Sequence, residues 1–170
     1  MARRVVLALL VALALPALAH GQDAPFSRMD VFDLEWVANP QVSPDGSQIV
    51  YQRRGMDVME DRRTSALWRL DADGTDHTKL TPRTADESSP RWSPDGSKIA
   101  FTSSDEEHGT EIYVHWVEQN KTARITQLEN APSGLSWSPD GTHLAFSMHV
   151  SAPEPTRRTP ISYAVFCLKK

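Results

Sequence analysis

The chain has 170 residues, 18 of them Lys or Arg against 22 Asp or Glu, for a formal charge of −4, and it contains one cysteine. A mildly acidic chain with no concentrated basic stretch lacks the electrostatic footprint of a nucleic-acid binder. A single thiol makes no internal disulfide, so the fold must be held by burial and hydrogen bonds.

Residues 1–19 read as a secretory signal. Arg3 and Arg4 give a basic start, residues 5–15 are an uninterrupted apolar run, Pro16 breaks it, and Ala17-Leu18-Ala19 places small residues before a cut after Ala19. A run of eleven residues is too short to cross a bilayer core of about 30 Å as a helix. No later stretch is apolar enough either, so the expected product is secreted or periplasmic and free of the membrane after cleavage. Residues 20–38 form a leader, and residues 26–37 are expected to hold a short helix. Asp30 is its N-cap, Asp33 stands three residues on, and Met29, Phe32, Leu34 and Trp36 supply the apolar side.

The tetrapeptide Ser-Pro-Asp-Gly then occurs three times, at residues 43–46, 93–96 and 138–141. Pro sets φ for a turn, Asp bonds the backbone beyond it, and Gly accepts the positive φ that completes the reversal, so each copy predicts a hairpin corner. After each corner apolar residues stand two apart, Ile49 and Tyr51, Ile99 and Phe101, Leu144 and Phe146, which is strand periodicity with one face turned inward. A second hairpin follows in each complete unit: residues 66–70 and 78–81 flank a turn at 71–76, and residues 111–117 and 122–126 flank a turn at 118–121. Four short strands per repeat of 50 and then 45 residues fit a β-propeller blade.

The expected fold is therefore all-β, an incomplete β-propeller with two four-stranded antiparallel blades and part of a third, at about 39–87, 88–132 and 133–150. Closed propellers use about four to eight blades. Open blade edges expose unpaired strands, so a protein partner is expected there. Residues 151–156 are Pro-rich and read as a linker. Residues 157–170, which include Cys167, match nothing in the blade template and read as an aberrant tail, as a shifted or prematurely ended frame would leave.

Several groups invite a chemical reading. Asp71, Asp73 and Asp76 crowd one turn, but the spacing lacks the glycine and distal glutamate of a calcium loop, and turn chemistry accounts for them. His143 and His149 share strand parity without a third ligand. Asn120-Lys121-Thr122 is formally a glycosylation sequon on a turn. Trp68, Trp92, Trp116 and Trp137 are expected to pack blades, since Trp92 and Trp137 both directly precede a Ser-Pro-Asp-Gly.

The approach Asp33-Leu-Glu-Trp-Val-Ala-Asn-Pro-Gln-Val-Ser-Pro-Asp-Gly46, then Leu67-Trp68, Asp73-Gly74, Leu80-Thr81 and Pro90-Arg-Trp-Ser-Pro-Asp-Gly-Ser-Lys-Ile-Ala-Phe101, resembles the start of an acylaminoacyl-peptidase or dipeptidyl-peptidase of the prolyl oligopeptidase family. That resemblance implies an N-terminal propeller that restricts access to a C-terminal α/β-hydrolase domain with a Ser, Asp, His triad. The sequence holds no Gly-x-Ser-x-Gly. No catalytic, cofactor-binding or metal-binding residue is assigned, and no cofactor is expected. Glu106 and Glu107 resemble in type the paired glutamates by which some dipeptidyl-peptidases hold a substrate amino terminus, but their setting is that of a solvated blade loop. The expected function is the substrate-gating propeller segment of an exported serine peptidase that cleaves peptides, reached through a catalytic domain outside this chain. The alternative is a non-catalytic TolB-like periplasmic propeller that binds proteins.

Overall fold

A computed structural model describes residues 27–150 and 162–167. Strands β1 (Trp36–Val42), β2 (Gln48–Asp57), β3 (Arg62–Asp71) and β4 (Thr78–Lys79) form one antiparallel sheet in chain order. β5 (Asp86–Trp92), β6 (Lys98–Asp105), β7 (Gly109–Trp116) and β8 (Lys121–Arg124) repeat it, and β9 (Ser133–Trp137), β10 (His143–Met148) and β11 (Ser162–Cys167) make a third sheet. These are two four-stranded blades and a three-stranded one, open at both ends of the row. β11 lies in the tail that matched no blade template, and it pairs antiparallel with β10 from Ser162 against Met148 to Cys167 against His143. The long Pro-rich connection between the two strands hides that pairing from a turn-based reading.

Each Ser-Pro-Asp-Gly closes the corner between the first two strands of a blade by the same bonds. In the first, the Ser43 hydroxyl donates to Asp45 (2.6 Å) and accepts from the Gln48 amide (2.9 Å), while Asp45 also accepts from the Ser47 amide (3.1 Å) and hydroxyl (2.8 Å). Ser93, Asp95, Ser97 and Lys98 reproduce the set, as do Ser138, Asp140, Thr142 and His143. Gly46, Gly96 and Gly141 have φ of 75°, 70° and 67°, a region in which a side chain is strained. The donated bonds hold Asp45, Asp95 and Asp140 at about 2, well below the usual carboxylate range, with the serine hydroxyl the largest cause in each. A depressed folded pKa stabilises above the unfolded value and is lost as pH falls through the folded one. Urea midpoints of the wild type are thus expected to drop between pH 4 and pH 2 (about the interval between those two values). A variant with all three changed to Asn is expected to be less stable at neutral pH and flatter across that window, and an unchanged slope would refute the assignment.

A second regularity lies four residues before each serine. Asn39 (φ 49°), Ser89 (φ 55°) and Gly134 (φ 65°) take left-handed conformations, and the register of the first strand against the second slips beside each of them. A bulge at this point bends the first strand of every blade.

The core lies between blades. Ile99 and Phe101, with Tyr113 from β7, face the first blade and pack on Val50, Leu67 and Leu80. Ala100, Ile112 and Val114 face the other way, onto Leu135, Leu144 and Phe146 of the third blade. The middle blade is therefore buried on both faces, which is why β6 and β7 carry runs of consecutive buried residues instead of an alternation. Burying Ile99, Phe101, Leu67 and Leu144 completely contributes roughly 1.5–3 kcal/mol per side chain. In the first blade the residue facing its neighbour is Val50, while Ile49 and Tyr51 lie half-buried on the opposite face.

The expected helix over residues 26–37 does not form in the described part. Asp30–Phe32 make a single 3-10 turn, and the chain enters β1 at Trp36, where Trp36, Val37 and Ala38 pair with Arg54, Arg53 and Gln52. The ladder thus takes the backbone groups of Trp36 and Val37, the last two residues of the expected helix, while residues 33–35 are in neither helix nor strand. The proposed apolar stripe has no cover, with Met29 63%, Leu34 49% and Trp36 40% exposed. Asp30 is not the cap either: its carboxylate accepts from the Ser27 amide (2.6 Å) and hydroxyl (2.7 Å), and Ser27 accepts from the Met29 and Asp30 amides. The signal segment and the Pro-rich linker lie outside the described residues.

Candidate functional site

The Ser-Pro-Asp-Gly turns stand at one end of the blades, and the β2–β3 and β6–β7 hairpin tips stand at the other. At the tip end a groove of about 760 Å³ opens between the first two blades, lined by Glu60, Arg62, Arg83, Asp86, Asp105 and Glu107 among others. Several of its charges are paired, one pair joining β3 to β5, while Glu106 is in no hydrogen bond or ion pair among the described residues. Arg62 bonds Glu60 and reaches Asp86 (3.3 Å), and Asp86 also accepts from the Ser65 amide (2.9 Å). Arg83 bonds Asp105 (3.1 Å) while its guanidinium lies 3.9 Å from the centre of the Tyr113 ring. Asp105 in turn accepts from the His108 amide (2.7 Å), the largest of the bonds that lower its pKa. Replacing Arg83 with Met is expected to lower the unfolding free energy by about 1–2 kcal/mol, and Arg83→Lys to recover less than half, because an ammonium cannot stack as a planar fork does. Full recovery by Lys in urea denaturation would show that only the charge matters.

Beneath the groove lies a buried carboxylate. Glu87 on β5 is fully buried; its Oε2 accepts from the Leu67 amide (3.1 Å) and its Oε1 from the Thr81 hydroxyl, so one side chain of the second blade satisfies two donors of the first. Burial pushes its pKa up, against those bonds. Glu111 does the related job inside the second blade, accepting from the Thr126 hydroxyl (2.5 Å) and the Leu128 amide (2.8 Å). Neither glutamate stands out in the sequence. The signal that could have found them is the pair Leu80-Thr81 and Ile125-Thr126, whose threonines supply one donor in each case.

Glu106 and Glu107 stand exposed at the β6–β7 tip, and Glu107 lies 3.7 Å from the His108 ring. Asp71, Asp73 and Asp76 diverge: Asp71 accepts from the Gln48 side chain (3.2 Å), Asp73 from Thr75 (2.6 Å), and Asp76 pairs with Arg69 (2.9 Å). His143 lies in β10 beside Thr142 (2.7 Å), and His149 lies beyond the end of that strand. Asn120 takes positive φ (48°) at the β7–β8 turn, and Thr122 of the sequon contacts buried His115 (2.9 Å). Among the described residues no three His, Cys, Asp or Glu side chains come together as a metal site. Trp92 and Trp137 do share a job, and it is polar as well as apolar. The Trp92 indole donates to the Gln41 carbonyl of the first blade (3.2 Å), and the Trp137 indole to the Arg91 carbonyl of the second (3.0 Å).

Consecutive blades, joined at their first strands and open at the ends of the row, define a β-propeller segment whose groove holds the ion pairs Arg62–Asp86 and Arg83–Asp105. Residues 35–154 match the TolB beta propeller domain, and the chain belongs to that family. Its curated relatives include the uncharacterized peptidase YuxL of Bacillus subtilis, 28% identical over 107 residues, which are 63% of this chain and 16% of that protein. Dipeptidyl-peptidase 5 of Porphyromonas gingivalis is 33% identical over 72 residues, 42% of this chain and 10% of that protein. The chain therefore corresponds to a small part of each. Among solved structures, Pyrococcus horikoshii acylaminoacyl peptidase superposes with a TM-score of 0.60 at 18% identity, over 73% of this chain and 19% of that one. The β-propeller domain of the trilobed protease from Pyrococcus furiosus gives 0.60 at 21% identity, over 79% and 40%. At these identities the structural likeness shows the fold, and the sequence relatives tie this propeller to those of peptidases.

Proposed function

We propose that this chain is the substrate-gating propeller segment of an exported serine peptidase acting on peptides, and that it carries no catalytic residue of its own. The observation that carries the reading is that a chain with a propeller-family match over residues 35–154 is similar in sequence to two peptidases, over 107 and 72 residues. The family match alone serves a protein-binding propeller equally well, and the peptidase relatives favour the gating role. In that role the propeller selects by size, and the catalytic domain performs the chemistry. The described residues fit a passive part: Arg62 and Arg83 of the groove are paired with Asp86 and Asp105, and the buried carboxylates are committed to backbone and threonine donors. Export is proposed from the leader of residues 1–19, with cleavage after Ala19. No helix among the described residues is long and apolar enough to cross a membrane.

The test has two arms. Incubation of the purified chain with acyl-aminoacyl and dipeptidyl chromogenic substrates and a serine-reactive phosphonate is expected to give neither turnover nor labelling, and inhibitable turnover with labelling would sink the non-catalytic reading. Joined in frame ahead of a peptidase relative's hydrolase domain in place of the matching blades, the chain is expected to preserve discrimination against folded substrates. Equal cleavage of folded and unfolded substrates would remove the gating role.

A further inference from the structure

Aspartate followed by glycine is a chemically weak pair, because glycine puts no side chain in the path of its own amide nitrogen. The sequence has four such pairs, Asp45-Gly46, Asp73-Gly74, Asp95-Gly96 and Asp140-Gly141. Two of them continue into the same tripeptide, Asp73-Gly74-Thr75 and Asp140-Gly141-Thr142. A difference in reactivity between those two must come from their surroundings. In the reaction the glycine nitrogen attacks the aspartate Cγ. A C–N bond forms, the nitrogen gives up its proton, a carboxyl oxygen leaves as water, and a cyclic succinimide results. Water then opens the ring. Opening at the former side-chain carbonyl restores aspartate, and opening at the former main-chain carbonyl leaves the backbone running through Cβ and Cγ, as isoaspartate. The step requires a carboxyl group free to turn, a glycine N–H released from its acceptor, and space for the ring.

The glycine N–H groups are engaged alike: Gly74 donates to the Asp71 carbonyl (2.8 Å), and Gly46, Gly96 and Gly141 donate to the carbonyls of Ser43, Ser93 and Ser138 (2.9 Å). The carboxylates are not alike. At Asp140 the Ser138 hydroxyl (2.5 Å) and the Thr142 amide (3.0 Å) hold Oδ1 while the Thr142 hydroxyl (2.8 Å) holds Oδ2, and Asp45 and Asp95 are held in the same way. At Asp73 the Thr75 amide (2.9 Å) and hydroxyl (2.6 Å) both bond Oδ1, and Oδ2 accepts from no described residue. Two residues before it stands Asp71, whose carboxylate has no proton to donate. Directly before it stands Ala72, where the other three pairs have a proline that fixes φ.

Space differs as well. A Cβ on Gly96 would lie 3.6 Å from Pro44 Cδ and one on Gly141 3.5 Å from Pro94 Cδ, whereas one on Gly74 would meet nothing within 4 Å. Residues 72–79 are all exposed and run into a strand of two residues, while Ser43 and Ser93 anchor their turns from buried positions. Local opening is therefore easiest at the Asp73 turn.

We propose that Asp73 is the position at which the folded chain converts to isoaspartate, and that the Ser-Pro-Asp-Gly networks protect Asp45, Asp95 and Asp140 from the same step. The argument rests on the bonds at the four turns and does not depend on the peptidase reading. The lengthened turn would feed straight into β4 and then into Leu80, which packs in the core between the first two blades, and Thr81, whose hydroxyl donates to Glu87. Conversion at Asp73 therefore loosens the joint between those blades.

The test follows isoaspartate by peptide mapping with electron-transfer fragmentation, which separates the isomers. In the folded chain at neutral pH, conversion at Asp73 is expected to be at least about tenfold faster than at Asp140, Asp45 or Asp95. In guanidinium chloride the four rates are expected to come within about threefold of one another, since the protecting bonds are gone. Ser138→Ala is expected to raise the rate at Asp140 alone, with Asp45 and Asp95 in the same molecule unchanged. Circular dichroism melts report whether that variant folds, and the comparison of folded with denatured wild type carries the test without it. The converted fraction is expected to have a lower urea midpoint than the unconverted chain. Equal rates at Asp73 and Asp140 in the folded chain would overturn the proposal. So would a difference that persists in guanidinium chloride, and an unchanged midpoint would remove the effect on the joint.

Discussion

Glu87→Ala is expected to lower the unfolding free energy by about 3–4 kcal/mol, from a cavity together with an unpaired buried amide and hydroxyl. The donors left without a partner are the Leu67 amide and the Thr81 hydroxyl, both in the first blade, while the deletion is in the second. Glu87→Gln separates volume from charge. Its carbonyl oxygen can accept from Leu67, and the Thr81 hydroxyl can turn to accept from its amide group, so the cost at neutral pH is expected to be about 1 kcal/mol or less. The pH dependence distinguishes the two substitutions from a simple packing defect. The folded pKa of Glu87 is raised, so the folded state holds the proton more tightly than the unfolded one. Stability is therefore greatest below the ordinary glutamate value and declines as pH rises from there to the raised folded value, the reverse of the turn aspartates. Glu87→Gln is expected to remove that decline. A decline that persists in Glu87→Gln would show that another group titrates.

Much of this architecture was legible in the sequence, for a reason specific to its repeat. The three turns are local: serine, aspartate and the residue after glycine satisfy one another within six residues, so a short string specifies the corner and the strand that follows. Strand parity was equally local, and Ile99, Phe101, Leu144 and Phe146 face inward as the alternation predicts. Ile49 and Tyr51 have the same parity yet line an open face, because inwardness in this fold is a relation to the preceding blade, and no alternation encodes that blade's presence. The joints are longer-range still. Glu87 meets a donor 20 residues away and Trp92 a carbonyl 51 residues away, and neither the acceptor carbonyl nor the amide has any signature in a side-chain alphabet. The helix expected over residues 26–37 failed for a related reason: an amphipathic stripe was present, but no surface covers it, and its last two residues, Trp36 and Val37, pair into β2 instead.

Trp92→Ala is the second large effect, about 3 kcal/mol from lost apolar contact and a lost donor at the first joint. Trp92→Phe, which keeps most of the ring area and leaves the Gln41 carbonyl without its indole, is expected to cost about 1 kcal/mol. The more telling consequence is how that loss is distributed. In a row of units that touch only their neighbours, stability is a sum of unit and joint terms, so weakening one joint uncouples the blades on either side of it. Hydrogen exchange in Trp92→Ala is expected to accelerate in β2 and β3 while β6 and β7, still packed on the third blade through Ile112, Val114, Leu144 and Phe146, keep their protection. Trp137→Ala is expected to shift the break to the other side, exposing β9 and β10 and sparing β2 and β3. Uniform acceleration in both variants would mean that the blades unfold as one body and that the indoles add stability without dividing the array.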